Sequence, residues 1–429
     1  MIKRYLIISI LLLAVAVLAG WFFFIRDSEA PVITLFPDKD AVSKQTSLTV
    51  WGEDKGTGIS RLEVWAVKST KKYIVFRKEY PLKPELVTEK FNLKKVPITD
   101  GNFSFEILAV DGTTKNSAQL RKDITLDSKP PKIAVKSRPP YVRRGGSSSV
   151  VYAVDEDVVS TGVMVGDLFF KGFKQENGEY FSFFAFPYYM SLDEFSPVLM
   201  ATDSVGNLRQ NTLAVKNLRR KFRNKTSKLN DAFFKKIVNE FRDKYPGIED
   251  PLELFLKINS ELRSKNRKTL LKIGRETSPR MLWEGTFLRQ PRSATFSEFG
   301  DHRRYMVEGK IVDEQDHLGM DLASLRHAEV LSSNSGEVVY AGDLGIYGLT
   351  VVIDHGLGLQ SMYAHLSEIA VDKGQPVEKA EIIGRTGTTG LAFGDHLHFA
   401  MVMAGLAVTP VEWWDKSWIE NNITGRMAE

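Results

Sequence analysis

Between Pro31 and about residue 215, apolar and polar positions alternate in short runs such as SLTVWGED, RLEVWAV, FSFEILAVD and SVVYAVD. Clusters of Gly, Pro, Asp and Asn separate them. A period of two punctuated by turn residues predicts strands with one face buried. The pattern also repeats after about 100 residues. Ala30-Pro31-Val32-Ile33 is echoed by Pro130-Pro131-Lys132-Ile133. Trp51-Gly52-Glu53-Asp54 is echoed by Ala153-Val154-Asp155, and Ala109-Val110-Asp111 by Ala201-Thr202-Asp203. Two units of about seven short strands each predict tandem β-sandwiches over 30–128 and 129–215.

The period then lengthens. Asn230 can cap a helix whose Phe234, Ile237, Val238 and Phe241 share one face, and Pro246-Gly247 stops it. Asp250-Pro251 starts a second helix, with Leu254, Phe255, Ile258 and Leu262 on one face and Gly274 near its end. Basic residues crowd this stretch, among them Arg219, Arg220, Lys221, Arg223, Arg263, Lys265 and Arg267. No aromatic-interleaved nucleic-acid motif accompanies them, so solvated faces of a short basic helical linker over 216–284 are expected, and no nucleic-acid partner. From 285 to 429 glycine-punctuated β runs return, GEVVYAG, LTVVIDHG, LQSMYAHL and HLHFAMV, predicting a compact antiparallel domain. The expected fold class is therefore mainly β.

The N-terminal segment, residues 1–26, follows a different rule. Tyr5 to Ile25 is an uncharged run of 21 residues, long enough for a hydrocarbon core of ~30 Å at ~1.5 Å per residue. Lys3 and Arg4 precede it, so the positive-inside bias puts the body of the chain outside the cytoplasm. The expectation is a single-pass helix through residues 5–25 in the cytoplasmic (inner) membrane, with the bulk on the periplasmic or extracellular side. A cleaved signal peptide is the alternative, with Val17-Leu18-Ala19 as its cleavage site. The apolar run continues through Trp21, Phe22, Phe23, Phe24 and Ile25, which favours the uncleaved anchor.

Composition narrows the chemistry. The 429 residues contain no cysteine, which excludes disulfide scaffolds, thiolate-held metals and thiol catalysis. A net charge of +5 fits proximity to anionic lipid or cell-wall polymer as well as anything else. All seven histidines lie after residue 300: His302, His317, His327, His355, His365, His396 and His398. His317-Leu-Gly-Met-Asp321 and His396-Leu-His398 stand out. Side chains two or four apart share a face of a strand, so the two motifs together offer three ligands to one metal and leave a histidine over. Three protein ligands plus water is the pattern of a catalytic zinc site.

The stretch from Phe299 to Pro410 resembles the lysostaphin/LytM-type zinc metallopeptidases that cut peptidoglycan cross-links. The resemblance is carried by FGDHRRY (299–305), HLGMD (317–321), SGEVVYAG (335–342), YGLTVVIDHGLGLQSMYAHL (347–366), VDKGQPVEKAEIIGRTGTTG (371–390), GDHLHFAM (394–401) and VTPVEWW (408–414), in the family's order. It implies one Zn2+ per chain held by His317, Asp321 and His398, with His365 and His396 as the catalytic histidines. His355 is read as a hairpin residue and not a ligand, and His302 and His327 as solvent-facing. Leu349 stands where the family often has Asn, and Leu325-Arg326-His327 replaces its usual proline-containing turn; neither removes a ligand. Residues 30–215 are similar, more loosely, to the immunoglobulin-like modules of bacterial surface proteins. They are expected to serve as spacers or as surfaces for cell-envelope protein partners.

Three decoys are set aside. Gly384 to Gly390 is glycine-rich but lacks Gly-Lys-Ser/Thr, so it is a turn rather than a phosphate cradle. The half-motif of carrier domains in 371–384 lacks the Met-Lys tip. Trp413, Trp414 and Trp418 are expected in the core rather than stacked on sugar. The function expected is a membrane-anchored zinc endopeptidase hydrolysing the peptide cross-links of peptidoglycan. The alternative is a non-enzymatic envelope module of the same kind that binds and regulates another cell-wall hydrolase.

Overall fold

A computed structural model describes residues 8–18, 29–113 and 116–427. Residues 8–18 are helical, and the anchor expected over 5–25 runs past them at both ends, outside the described residues. Among the described residues no helix is long and apolar enough to cross a membrane. The chain divides into two compact units, one ending at Pro130 but including Thr202–Asn207, the other comprising Pro131–Ala201 and everything from Leu208.

The first unit is built from two sheets. Val32–Phe36, Leu48–Glu53 and Leu86–Phe91 form a three-stranded antiparallel sheet. Ala41–Val42, Ser117–Leu126, Gly101–Asp111, Ile59–Lys68 and Lys71–Glu79, in that order, form the other. Alternation works as the sequence pattern requires: Leu48 and Val50 are buried while Trp51 and Glu53 are exposed. The buried residues of both sheets, including Val50, Leu62, Val64 and Phe105, make one core.

The second unit begins with two four-stranded sheets, one centred on Ser147–Val154 and Tyr180–Ala185, the other on Val158–Val165 and Val198–Asp203. It ends in a ten-stranded sheet whose main path runs Ala294–Ser297, Met320–Ala323, Leu397–Met403, Leu359–Ile369, Leu349–Asp354, Gly336–Asp343 and Pro376–Val377. This sheet is buried on both faces. Val351, Ile353, Tyr363, Phe399 and Met401 belong to a core shared with Phe181, Phe183 and Trp413. Val352, Met362, Ala364, Ala400 and Val402 point the other way, into a core shared with the helices. Double-sided burial explains why LTVVID and HFAMVM read as continuous apolar runs rather than as alternation.

The helices cover that second face. Asn230 caps the Asp231–Phe241 helix by accepting from Phe233 N, and Asp250 caps Pro251–Lys257. Phe233, Ile237 and Phe241 are the buried positions of the first, with Phe234 and Val238 partly buried beside them. Residues 216–284, expected as a linker, thus pack into the same unit as the ten-stranded sheet. Trp413 is fully buried and meets Phe183, Trp283, Phe287 and Trp418 edge-on, which puts it in the core.

Candidate metal and catalytic site

Strand register brings two of the candidate ligands together. Asp321 pairs with His398 across adjacent antiparallel strands. His317 sits just before the Met320–Ala323 strand, its backbone tied to the 298–301 turn: His317 N donates to Asp301 O at 2.9 Å and Gly300 N donates to His317 O at 2.7 Å. Arg223 grips that turn through two bonds of 2.9 Å to the Asp301 carboxylate. His317 Nδ1 donates to the Glu298 carbonyl at 2.9 Å. A carbonyl can only accept, so Nε2 is left as a bare lone pair.

His317 Nε2, Asp321 Oδ1 and His398 Nδ1 form a triangle with sides of 2.9, 3.0 and 3.0 Å. All three residues are buried, and their donor atoms lie close enough together to hold one metal ion. Two imidazole nitrogens and a carboxylate oxygen are donors that suit zinc, and three from the protein is the catalytic rather than the structural count. The far nitrogen of His398, Nε2, is buried without a hydrogen-bond partner among the described residues. A Cβ on Gly319 would lie 2.4 Å from it, so the middle of the first motif admits no side chain.

His365 and His396 stand beside this triangle. The ring of His365 lies 5.0 Å from that of His396 and 5.7 Å from that of His398. His365 sits at a β-bulge: Leu349 pairs with Leu366 and Val351 with Tyr363, leaving two residues opposite Thr350. Its φ of +61° is left-handed, unusual for a side chain of this size. Bulges re-aim side chains beside functional sites, and this one takes His365 out of the strand's alternation. His365 Nδ1 donates to Thr389 O at 2.9 Å and His396 Nδ1 donates to Gly394 O at 2.7 Å. The neutral rings therefore carry their lone pair on Nε2, and that of His396 lies 3.4 Å from Asp321 Oδ1.

The local field is strongly perturbed. Burial pushes the Asp321 carboxyl up, but the His317 charge, and hydrogen bonds from His317, His396 and His398 in their protonated forms, hold it well below the usual carboxylate range. Burial holds His365 well below the usual imidazole range, helped by His396 and His398. His317 is lowered by burial, and His398 is pushed down by burial to about 4. Burial acts in the same sense on His396, but the hydrogen bond its charged ring donates to Asp321 and the carboxylate's charge outweigh it and raise the ring. A cleft of about 360 Å³ opens onto the site, walled by Lys225, Lys228, Phe296, Phe393, His365 and His396.

The other histidines fall elsewhere. His355 is fully buried, its Nδ1 donating to Ser335 O at 2.8 Å and its Nε2 2.7 Å from Ser361 Oγ. His302 lies between Asp316 at 2.9 Å and Glu314 at 3.2 Å, paired rather than merely solvated. His327 is half exposed beside Ser367. Sequence reasoning passed over Arg303, which donates to Asp321 Oδ2 at 2.5 Å and so occupies the carboxylate oxygen not in the triangle. Its signal was present, since Arg303 lies inside FGDHRRY.

Residues 315–410 match peptidase family M23. A protein of Haemophilus influenzae named as an uncharacterized metalloprotease is 36% identical over 126 residues, 28% of this chain and 25% of that protein. The peptidoglycan DD-endopeptidase ShyA of Vibrio cholerae is 34% identical over 116 residues, 27% of this chain and 26% of its own. The murein hydrolase activator NlpD of Escherichia coli is 31% identical over 116 residues, 26% of this chain and 30% of its own. The chain spans between a quarter and a third of the length of these relatives.

Proposed function

Because the chain carries a peptidase M23 domain at its C-terminus, we propose that it is a zinc endopeptidase that hydrolyses the peptide cross-links of peptidoglycan. We place it, by the apolar run 5–25, at the outer side of the cytoplasmic membrane. The observation that carries this reading is the complete set: the His317–Asp321–His398 triangle with His365 and His396 both beside it.

His317 Nε2, Asp321 Oδ1 and His398 Nδ1 are the atoms that would hold zinc. Bound there, the ion would supply a Lewis acid for water activation and carbonyl polarisation. The chain's own residues do the rest. Thr389 O and Gly394 O hold the protons of His365 and His396 on Nδ1, so each Nε2 is the nitrogen that exchanges protons with substrate or water. One can take a proton from the attacking water while the other, protonated, donates to the developing oxyanion or to the leaving amine. Arg303 keeps the second oxygen of Asp321 turned away from the centre.

A regulatory reading is the alternative, since an activator of murein hydrolases is among the relatives. A module that only binds a partner has no need of five positioned metal-site and proton-transfer residues, and their presence favours the enzyme. Chelation separates the readings. The full chain in detergent should convert the cross-linked muropeptides of purified peptidoglycan to uncross-linked ones, stop after chelation and resume on adding zinc. Peptidoglycan left intact under zinc repletion would refute the reading.

A further inference from the structure

The Asp231–Phe241 helix lies outside residues 315–410, yet its polar positions end on the loop beside the candidate catalytic histidines. Lys236 Nζ donates to Thr388 O at 2.6 Å and to Ala392 O at 2.5 Å. One turn further on, Glu240 Oε1 accepts from Gly390 N at 2.7 Å. One turn earlier, Phe233 stacks on Phe393 with centroids 4.4 Å apart and planes at 6°. Residues spaced three and four apart share a helix face, so all three side chains come from one stripe. Phe393 is also a wall of the cleft.

The gripped loop is the one that fixes the histidines. Thr389 O accepts from His365 Nδ1, and Gly394 O accepts from His396 Nδ1. Gly390 has a φ of +67°, and a Cβ there would lie 2.4 Å from Gly348 N, so the loop fits its seat closely. From the sheet side it is held by Thr389 Oγ1, which donates to Leu366 O and accepts from Leu349 N, by His365 Nδ1 on Thr389 O, and by Leu391 N on Ile346 O. The helix supplies the bonds to Thr388 O, Gly390 N and Ala392 O.

We propose that this helix is a clamp on the catalytic loop, with Lys236 and Glu240 as positioning residues for His365 and His396. The clamp sets the backbone of 388–394, the backbone carbonyls set the Nδ1 protons, and the two free Nε2 atoms are aimed as a consequence. The inference rests on the peptidase reading, because it ties the clamp to a reaction.

The test uses the full chain carrying Lys236→Met or Glu240→Ala, with Lys235→Met on the exposed side of the helix as control. Hydrogen exchange across 387–396, zinc content, melting temperature, and kcat and KM on a cross-linked muropeptide are measured on one preparation. Exchange in 387–396 should quicken about tenfold or more, while the Leu349–Asp354 and Leu397–Met403 strands stay protected. The kcat should fall about tenfold to a hundredfold with KM within about twofold and zinc retained. Lys236→Arg, which keeps a cation and its donors, should recover much of the rate. Should Lys236→Met fail to fold, Glu240→Ala, at a half-exposed position, carries the test. Unchanged exchange in the loop overturns the clamp, as does quicker exchange with undiminished kcat, or a loss that only tracks melting. If the unmodified chain cleaves nothing, the peptidase reading falls, and loop exchange alone still decides whether the helix is a clamp.

Discussion

Asp321 faces His398 from the neighbouring antiparallel strand, with Oδ1 3.0 Å from Nδ1. His317, four residues before Asp321, closes the triangle. Two of the three candidate ligands are thus placed by the pairing of two largely buried strands, which ties the site to the sheet.

Removing one corner should empty the site. With His398→Ala the purified chain should lose its metal, because two remaining protein ligands hold zinc poorly. Metal content by mass spectrometry checks this, and a stoichiometric ion in the variant would show that the ligand set is wrong.

Gly319→Ala should damage the same site without touching a ligand. The added Cβ would meet His398 Nε2 at 2.4 Å, closer than any real contact, and must displace the ring or the strand. Zinc affinity by chelator competition should drop about tenfold or more, the scale of a disturbed ligand orientation. Wild-type affinity would mean that the space beside His398 is not constrained.

His365→Ala should keep its zinc and its melting temperature while losing at least about a hundredfold in cleavage rate. His365 lies outside the triangle, its ring 5.7 Å from that of His398 and its Nδ1 held by Thr389 O. Loss of zinc would make it a ligand or a support for one. An intact and active variant would remove it from the mechanism.

His355 predicts a pH dependence of stability. Burial pushes its pKa down to about 4, from an ordinary value of 6.5. The folded chain keeps it neutral where the unfolded chain protonates it, so its contribution is complete above pH 6.5. It is lost as pH falls from 6.5 to about 4, at about 1.4 kcal/mol per pH unit. In denaturant titrations His355→Gln should show a shallower loss over that window than the unmodified chain. Parallel slopes would contradict this assignment.

Much of the site was legible because its spacing is local. His317 and Asp321 are four apart, and His396 and His398 two apart, so an extended reading groups each pair, although His317 and His396 fall just before the strands that carry Asp321 and His398. The aim of His365 was not legible, because it depends on a bulge at a left-handed non-glycine residue that no alternation pattern announces. The helices were legible as amphipathic, but the buried stripe runs through Phe233 rather than Phe234, and the pattern gives a face without its partner. Nothing in the pattern marks Lys236, yet it ends on two carbonyls 152 and 156 residues away in sequence. Likewise, apolar runs such as HFAMVM show that a strand is buried twice over, without showing that helices outside the matched region cover one side.

The most direct measurement is digestion of a purified cross-linked muropeptide dimer by the full chain, read by mass spectrometry with and without a zinc chelator. The expected result is hydrolysis of a cross-link amide, giving products whose masses sum to the dimer plus one water, and no hydrolysis once zinc is removed. A dimer that stays intact with zinc present, while the chain stimulates a separate wall hydrolase, would contradict it.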